Sequence, residues 1–313
     1  YTLDNNIDIE NEFNYTETAG QVDGLVKWYA ENDILSNTVC DNNRPAPITF
    51  TVPAASTTTT VWEAQRNINT KGRVDFKYGG AVGMGDLVWL SRGGHIQTER
   101  PVTIQYDSDN KISLRAEDDR HDAIAAGATN NANASGRRGN IHFFDSIDIK
   151  RNNANNGVTE IKAENHIWTA MLNYVDMQSA GNIMDIISHK GDIYLGYNDA
   201  KTTGYDWKYY VANSDNWKIT QKSPSAECMF PPANPVSYDL NRFTYTVPAQ
   251  NQTGHLWIKA GWEEKTDYKK VADDGTRSAG GNIYFTHLDI NQETGSDHST
   301  EITIPFSGLW RCG

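Results

Sequence analysis

A chain of 313 residues is longer than one ordinary domain, and length alone sets the expectation of two cores. Its 38% hydrophobic content comes with an 11% aromatic share, which excludes a disordered polymer. The net charge of -12, from 40 Asp and Glu against 28 Lys and Arg, repels phosphate backbones and anionic lipid, so nucleic acid is not an expected partner.

The chain opens on a polar stretch, "YTLDNNIDIENEFNYTETAG", which is expected to dock on a sheet of its own chain or of a neighbouring copy. The second case makes it a route to a homo-oligomer. The first residue is Tyr1 and not Met, which suits a processed secreted protein or a trimmed one. No run approaches 18 consecutive apolar residues, so membrane insertion through helices is not expected. Leu25, Val26, Trp28 and Tyr29 in 20–35, and the stretch 167–175, are the best helix candidates, yet neither sustains a 3.6-residue period.

From residue 48 onward the pattern is period two. Phe50 and Val52 alternate with polar residues in "ITFTVPA", and the alternation stops at Pro53, where a strand should end. Phe243, Tyr245 and Val247 repeat this in "FTYTVPA", which stops at Pro248. Nine residues separate Pro53 from Trp62 and, equally, Pro248 from Trp257. Further on, "SGRRGNIHFFDSIDI" at 135–149 is answered by "SAGGNIYFTHLDI" at 278–290. Thr159-Glu-Ile161 is then answered by Thr300-Glu-Ile302, and Trp168 by Trp310 with one residue of drift.

Four anchors in one order imply duplication. A period far above 50 residues argues against a solenoid, whose units are shorter, and for two copies of a domain. The expected architecture is therefore all-β, with two tandem antiparallel β-sandwich (jelly-roll) domains at 1–180 and 181–313. The first copy would carry an insertion at about 66–134, with strands of its own in "DLVWLS" and "VTIQYDSDNKISLRA".

Residues matched in both copies are expected to serve the fold. Asp148 and Asp289, and Glu160 and Glu301, read as turn acceptors, structural calcium ligands or solvated face, and Trp62 and Trp257 as core. Trp262, in "KAGWEEKTDY", lacks a counterpart and is a candidate exposed platform for a sugar ring. Asp107 and Asp109 in "YDSDNKIS" offer alternating oxygens for a structural calcium ion, without the glycine and terminal glutamate of an EF-hand. No other cofactor is implied.

The region holds a dense polar cluster, with Arg92, His95, Glu99 and Arg100, then Arg115 and 117–122. It reads as a charged turn, or else as the acid, base and clamp of a glycan-cleaving site. Cys40, Cys228 and Cys312 allow at most one internal disulfide and have no zinc-site spacing. The triplets beginning at Asn14, Asn133 and Asn251 are acceptors only in a glycosylating secretory route.

The phrases "IENEFNYTETAGQV", "ITFTVPAASTTTTVWEAQ" and "SAGGNIYFTHLDINQETGSDHSTEITIPFSGLW" resemble carbohydrate-binding modules of the family 6 and 35 type, which are galactose-binding-like jelly rolls. The resemblance implies carbohydrate as partner, with Trp168 and Trp310 lining a sugar platform. The chain departs from that pattern in its long insertion and in stopping three residues after Trp310. The expected function is a secreted, non-enzymatic glycan-binding protein. The alternatives are an extracellular structural or self-assembling subunit, such as a fibre, capsid or surface layer, and a polysaccharide hydrolase or lyase.

Overall fold

The computed structural model describes residues 6–10, 12–18, 24–36, 38–39, 44–45, 47–53, 56–79, 85–106, 111–117, 139–151, 157–176, 182–189, 191–196, 242–247, 254–260, 283–285, 288–292, 299–303 and 310–312. All regular structure among them is β-strand. The first strands are β1 (Ile7–Ile9), β2 (Phe13–Thr16), β3 (Leu25–Ala30), β4 (Ile34–Ser36), β5 (Thr38–Val39), β6 (Arg44–Pro45), β7 (Ile48–Val52), β8 (Thr59–Ala64) and β9 (Ile68–Thr70). Then follow β10 (Val74–Tyr78), β11 (Leu87–Ser91), β12 (Ile96–Thr98), β13 (Val102–Tyr106), β14 (Ile112–Ala116), β15 (Ile141–Arg151), β16 (Val158–Ala163) and β17 (Ile167–Asp176). The last are β18 (Asn182–Ser188), β19 (Ile193–Leu195), β20 (Phe243–Val247), β21 (Gly254–Ala260), β22 (Ile283–Phe285), β23 (Leu288–Gln292), β24 (Ser299–Thr303) and β25 (Trp310–Cys312).

Every ladder is parallel except the short β5–β6 pair. Three stacks of strands result. Stack one runs β2, β7, β10, β13, β15, β17, β20, β23, and stack two β3, β8, β11, β14, β16, β18, β21, β24. Stack three runs β1, β4, β9, β12, β15, β17, β19, β22, β25, with β15 and β17 each turning a corner to serve stacks three and one. The chain visits the stacks in rotation, so it is a parallel β-helix. A parallel pair needs a crossover, and here the other two strands of the coil supply it.

This corrects the expected antiparallel jelly-roll sandwiches. Period-two alternation tells which residues face a core, but it carries no information on the direction of the neighbouring strand. The duplication is corrected with it. Ile141 and Ile283 open stack-three strands, Asp148 and Asp289 lie in stack one, and Glu160 and Glu301 in stack two. The matched phrases are thus the same positions of different coils. The repeating unit is one coil, as the steps from Ile48 to Val74 and from Val74 to Val102, 26 and 28 positions, show directly. The expected insertion at 66–134 contains β9, β10, β11, β12, β13 and β14, which are strands of ordinary coils of the same helix.

The core is the inside of the tube. Isoleucines 34, 68, 96, 141, 167, 193 and 283 form one inner column at the start of the stack-three strands, and all are fully buried. Branching at Cβ leaves each with a single comfortable rotamer on a pleated strand, so identical residues nest coil upon coil. A second column, Ala30, Ala64, Ser91, Ala116, Ala163, Ser188 and Ala260, ends the stack-two strands. Small side chains there let the chain turn sharply toward stack three. At one such corner Gly139 has φ 73°, and a Cβ would lie 2.5 Å from Cβ of Glu164.

Candidate functional site

Three outer faces result, and they differ in chemistry. Stack two carries charge. Lys27 and Arg92 hold Glu63 at 2.7 and 3.1 Å, and Arg92 and Arg115 hold Glu117 at 3.4 and 3.1 Å. Next to them Lys111 and Lys162 grip Glu160 at 2.5 and 2.9 Å, and Lys162 reaches Asp185 at 3.6 Å. Burial alone would raise Glu160, but the hydrogen bonds from Lys111 and Lys162 hold it below the usual carboxylate range. Charge here is mutually compensated and serves to join coils.

Stack three differs. Its outer column reads Leu35, Asn69, Gln97, His142, Trp168, Tyr194, Tyr284 on successive coils, in register. By register Asp8 precedes Leu35 and Arg311 follows Tyr284, so fixed charge stands at the two ends of the column and none between them. Burial, followed by the neighbouring His95 and His166, keeps the His142 imidazole well below its ordinary value and so neutral. Trp168 stacks on Tyr194 at 4.8 Å and 24°, and Tyr194 on Tyr284 at 4.6 Å and 7°. All three rings are half-buried, and the Tyr194 hydroxyl donates to Asp192 Oδ2 at 3.2 Å. Asn69 and Gln97 are buried, and their carbonyl oxygens Oδ1 and Oε1 meet no donor among the described residues. An acceptor left so costs about 1–3 kcal/mol.

The residues singled out in the sequence fall in different places. Trp168 is in this column, whereas Trp310 takes the register of Ile283, in the isoleucine column. One residue of drift is one change of face. The same parity separates Trp62, fully buried between Trp28 and Trp89, from Trp257, which is half-buried beside Asp185 on the outer face of stack two with Lys259 Nζ 4.6 Å over its ring. Trp262, Asp107 and Asp109 lie outside the described residues, as do Cys40, Cys228 and 118–122. No group of three metal-ligating side chains occurs among the described residues. No described helix is long and apolar enough to cross a membrane.

Among the described members of the expected cleavage cluster, only Arg92, Arg115 and Glu117 are joined by ion pairs. Arg92 and Arg115 belong to the stack-two ion pairs, Glu99 is exposed, and His95 is buried at the corner before β12. The amide pair Asn69 and Gln97 escaped the sequence reading. Its signal was the outer position after Asn67-Ile68 and His95-Ile96, visible only once those dipeptides are recognised as one coil position.

Comparison with protein-family models, with curated proteins and with solved structures yields no match to this chain.

Proposed function

We propose that the chain is a non-enzymatic, extracellular glycan-binding β-helix that holds a neutral, linear polysaccharide along the outer column of stack three. One observation carries this reading: from Asn69 to Tyr284 amide, imidazole, indole and phenol side chains stand in register on successive coils, with fixed charge only beyond them at Asp8 and Arg311. Strands in a ladder repeat about every 4.8 Å, so the column offers a periodic row of contacts to a periodic polymer.

The chemistry differs from a single flat platform. Both faces of Tyr194 are covered by Trp168 and Tyr284, so a sugar meets ring edges and phenol hydroxyls, while the amides of Asn69 and Gln97 lie buried beneath the same column. Recognition is then led by hydrogen bonds from sugar hydroxyls. The overall charge of -12 favours neutral over acidic glycans.

Isothermal titration against neutral and acidic polysaccharides tests the proposal. Binding of a neutral glycan that weakens at least tenfold in both Trp168→Ala and Tyr284→Ala supports it. Absence of heat with every glycan at millimolar concentration removes it.

A second reading, a structural or self-assembling subunit, is favoured by the ends of the tube. Among the described residues β2 and β3 each pair on one side only, as do β23 and β24. A strand paired on one side is a template for another. The N-terminal strands β1 and β2 extend stacks of their own chain, which meets one of the two expectations for that segment. Sedimentation as a monomer at high concentration argues against self-assembly.

A further inference from the structure

The corner between stacks two and three carries a line of side chains independent of the glycan reading. Each residue preceding the inner isoleucine is Asn, Asp or His: Asn6 before Ile7, then Asp33, Asn67, His95, Asn140, His166 and Asp192. Each of the first six accepts from the backbone N–H of its counterpart on the next coil. Asn6 Oδ1 takes Asp33 N–H at 3.1 Å, Asp33 Oδ1 takes Asn67 N–H at 2.9 Å, and Asn67 Oδ1 takes His95 N–H at 2.9 Å. His95 Nδ1 takes Asn140 N–H at 3.3 Å, Asn140 Oδ1 takes His166 N–H at 2.9 Å, and His166 Nδ1 takes Asp192 N–H at 2.9 Å. Seven coils are thereby tied by one polar spine.

A backbone N–H can only donate. The two ring nitrogens that receive it must therefore carry no proton, which fixes both imidazoles as neutral with the proton on Nε2. We propose that His95 and His166 make this spine acid-sensitive: protonation at Nδ1 replaces an acceptor by a donor facing a donor, and the corners at Asn140 and Asp192 open. Asparagine at the equivalent positions 67 and 140 has no such response.

The surrounding charges are consistent with that behaviour. His142 lies beside His95, ring centroids 6.4 Å apart, and Asp192 follows His166 on the next coil. Asp33 stands near the N-terminal end of the spine, and Arg92, Arg66 and Glu164 occupy its corners, Arg92 being held by Glu63 and Glu117. Burial holds His166 below the ordinary imidazole value against the opposing pull of Asp192. An unfolded histidine takes its proton near pH 6.5, so the stabilisation is complete above that pH and is lost as pH falls toward the lower folded-state value.

The test compares thermal unfolding from pH 8 to pH 5 in the wild-type chain, in the double variant His95→Asn and His166→Asn, and in His142→Gln, which leaves the spine intact. The wild-type midpoint is expected to fall across this window, the double variant to lose a large part of that fall, and His142→Gln to lose only the share that its own burial causes. Nitrogen-15 spectra of the wild-type imidazoles at pH 7.5 are expected to show Nδ1 unprotonated in both rings. An unchanged fall in the double variant overturns the proposal, as does a fall removed by His142→Gln alone. Should the double variant not fold, the spectra decide: Nδ1–H on either ring at pH 7.5 overturns it.

Discussion

Of the aromatic ladders among the described residues, two form a contrast, one inside the tube and one outside. Trp28, Trp62 and Trp89 stack at 4.6 and 4.7 Å with interplanar angles of 8° and 4°, and Trp168, Tyr194 and Tyr284 stack at 4.8 and 4.6 Å. The ring geometry is nearly the same. The surroundings are not: Phe50 and Phe76 press on Trp62 from stack one at 5.9 and 5.4 Å, whereas the outer ladder keeps one edge toward solvent. Parity along a strand, and nothing about ring type, places one ladder in the core and the other on the outer face.

Substitutions can break this contrast. Trp62→Ala, which empties a fully buried site, is expected to cost about 3–5 kcal/mol in chemical denaturation. Trp62→Phe should cost clearly less, since the Trp62 indole N–H has no acceptor to lose. Asn67→Ala orphans the His95 N–H and removes a 2.8 Å bond to Asp33, and about 1–3 kcal/mol should be lost by the same measurement.

The outer ladder should behave differently. Trp168→Ala forfeits one stacked pair, about 0.5–1.5 kcal/mol of stability, and its larger effect should appear in glycan titration. A stability loss from Trp168→Ala equal to that from Trp62→Ala would erase the distinction. The smallest effect belongs to Lys27→Ala, where a half-exposed ion pair with Glu63 is removed; less than about 1 kcal/mol is expected, and less still in high salt.

Much of this was legible in the chain, though not in the form it suggested. The alternation in "ITFTVPA" and "FTYTVPA" marks β7 and β20 correctly, and the phrases around Gly139 and Gly281 are true repeats. Their period was misjudged because only two of the recurrences were aligned. The dipeptides Asn6-Ile7, Asp33-Ile34, Asn67-Ile68, His95-Ile96, Asn140-Ile141, His166-Ile167, Asp192-Ile193 and Asn282-Ile283 are eight copies of one signal. The long sequence distances from Ala116 to Ile141 and from Leu195 to Phe243 disguise a unit of 26 to 28 positions. Pairing Trp62 with Trp257 by their distance from proline hid the extra residue in "LWIKA", which places Ile258 and not Trp257 in the inner column.

The amino-acid order by itself determined that strands form, where many of them stop, and which residues recur, because propensity, alternation and turn chemistry act over a few neighbouring positions. Only the tertiary structure decided that the strands lie parallel, that Asn69, Gln97, His142 and Trp168 share one column, and that the residues before each inner isoleucine join into a spine. Those relations link positions a full coil apart, and they depend on the direction and register of ladder hydrogen bonds, which leave no trace in the alternation of apolar and polar residues.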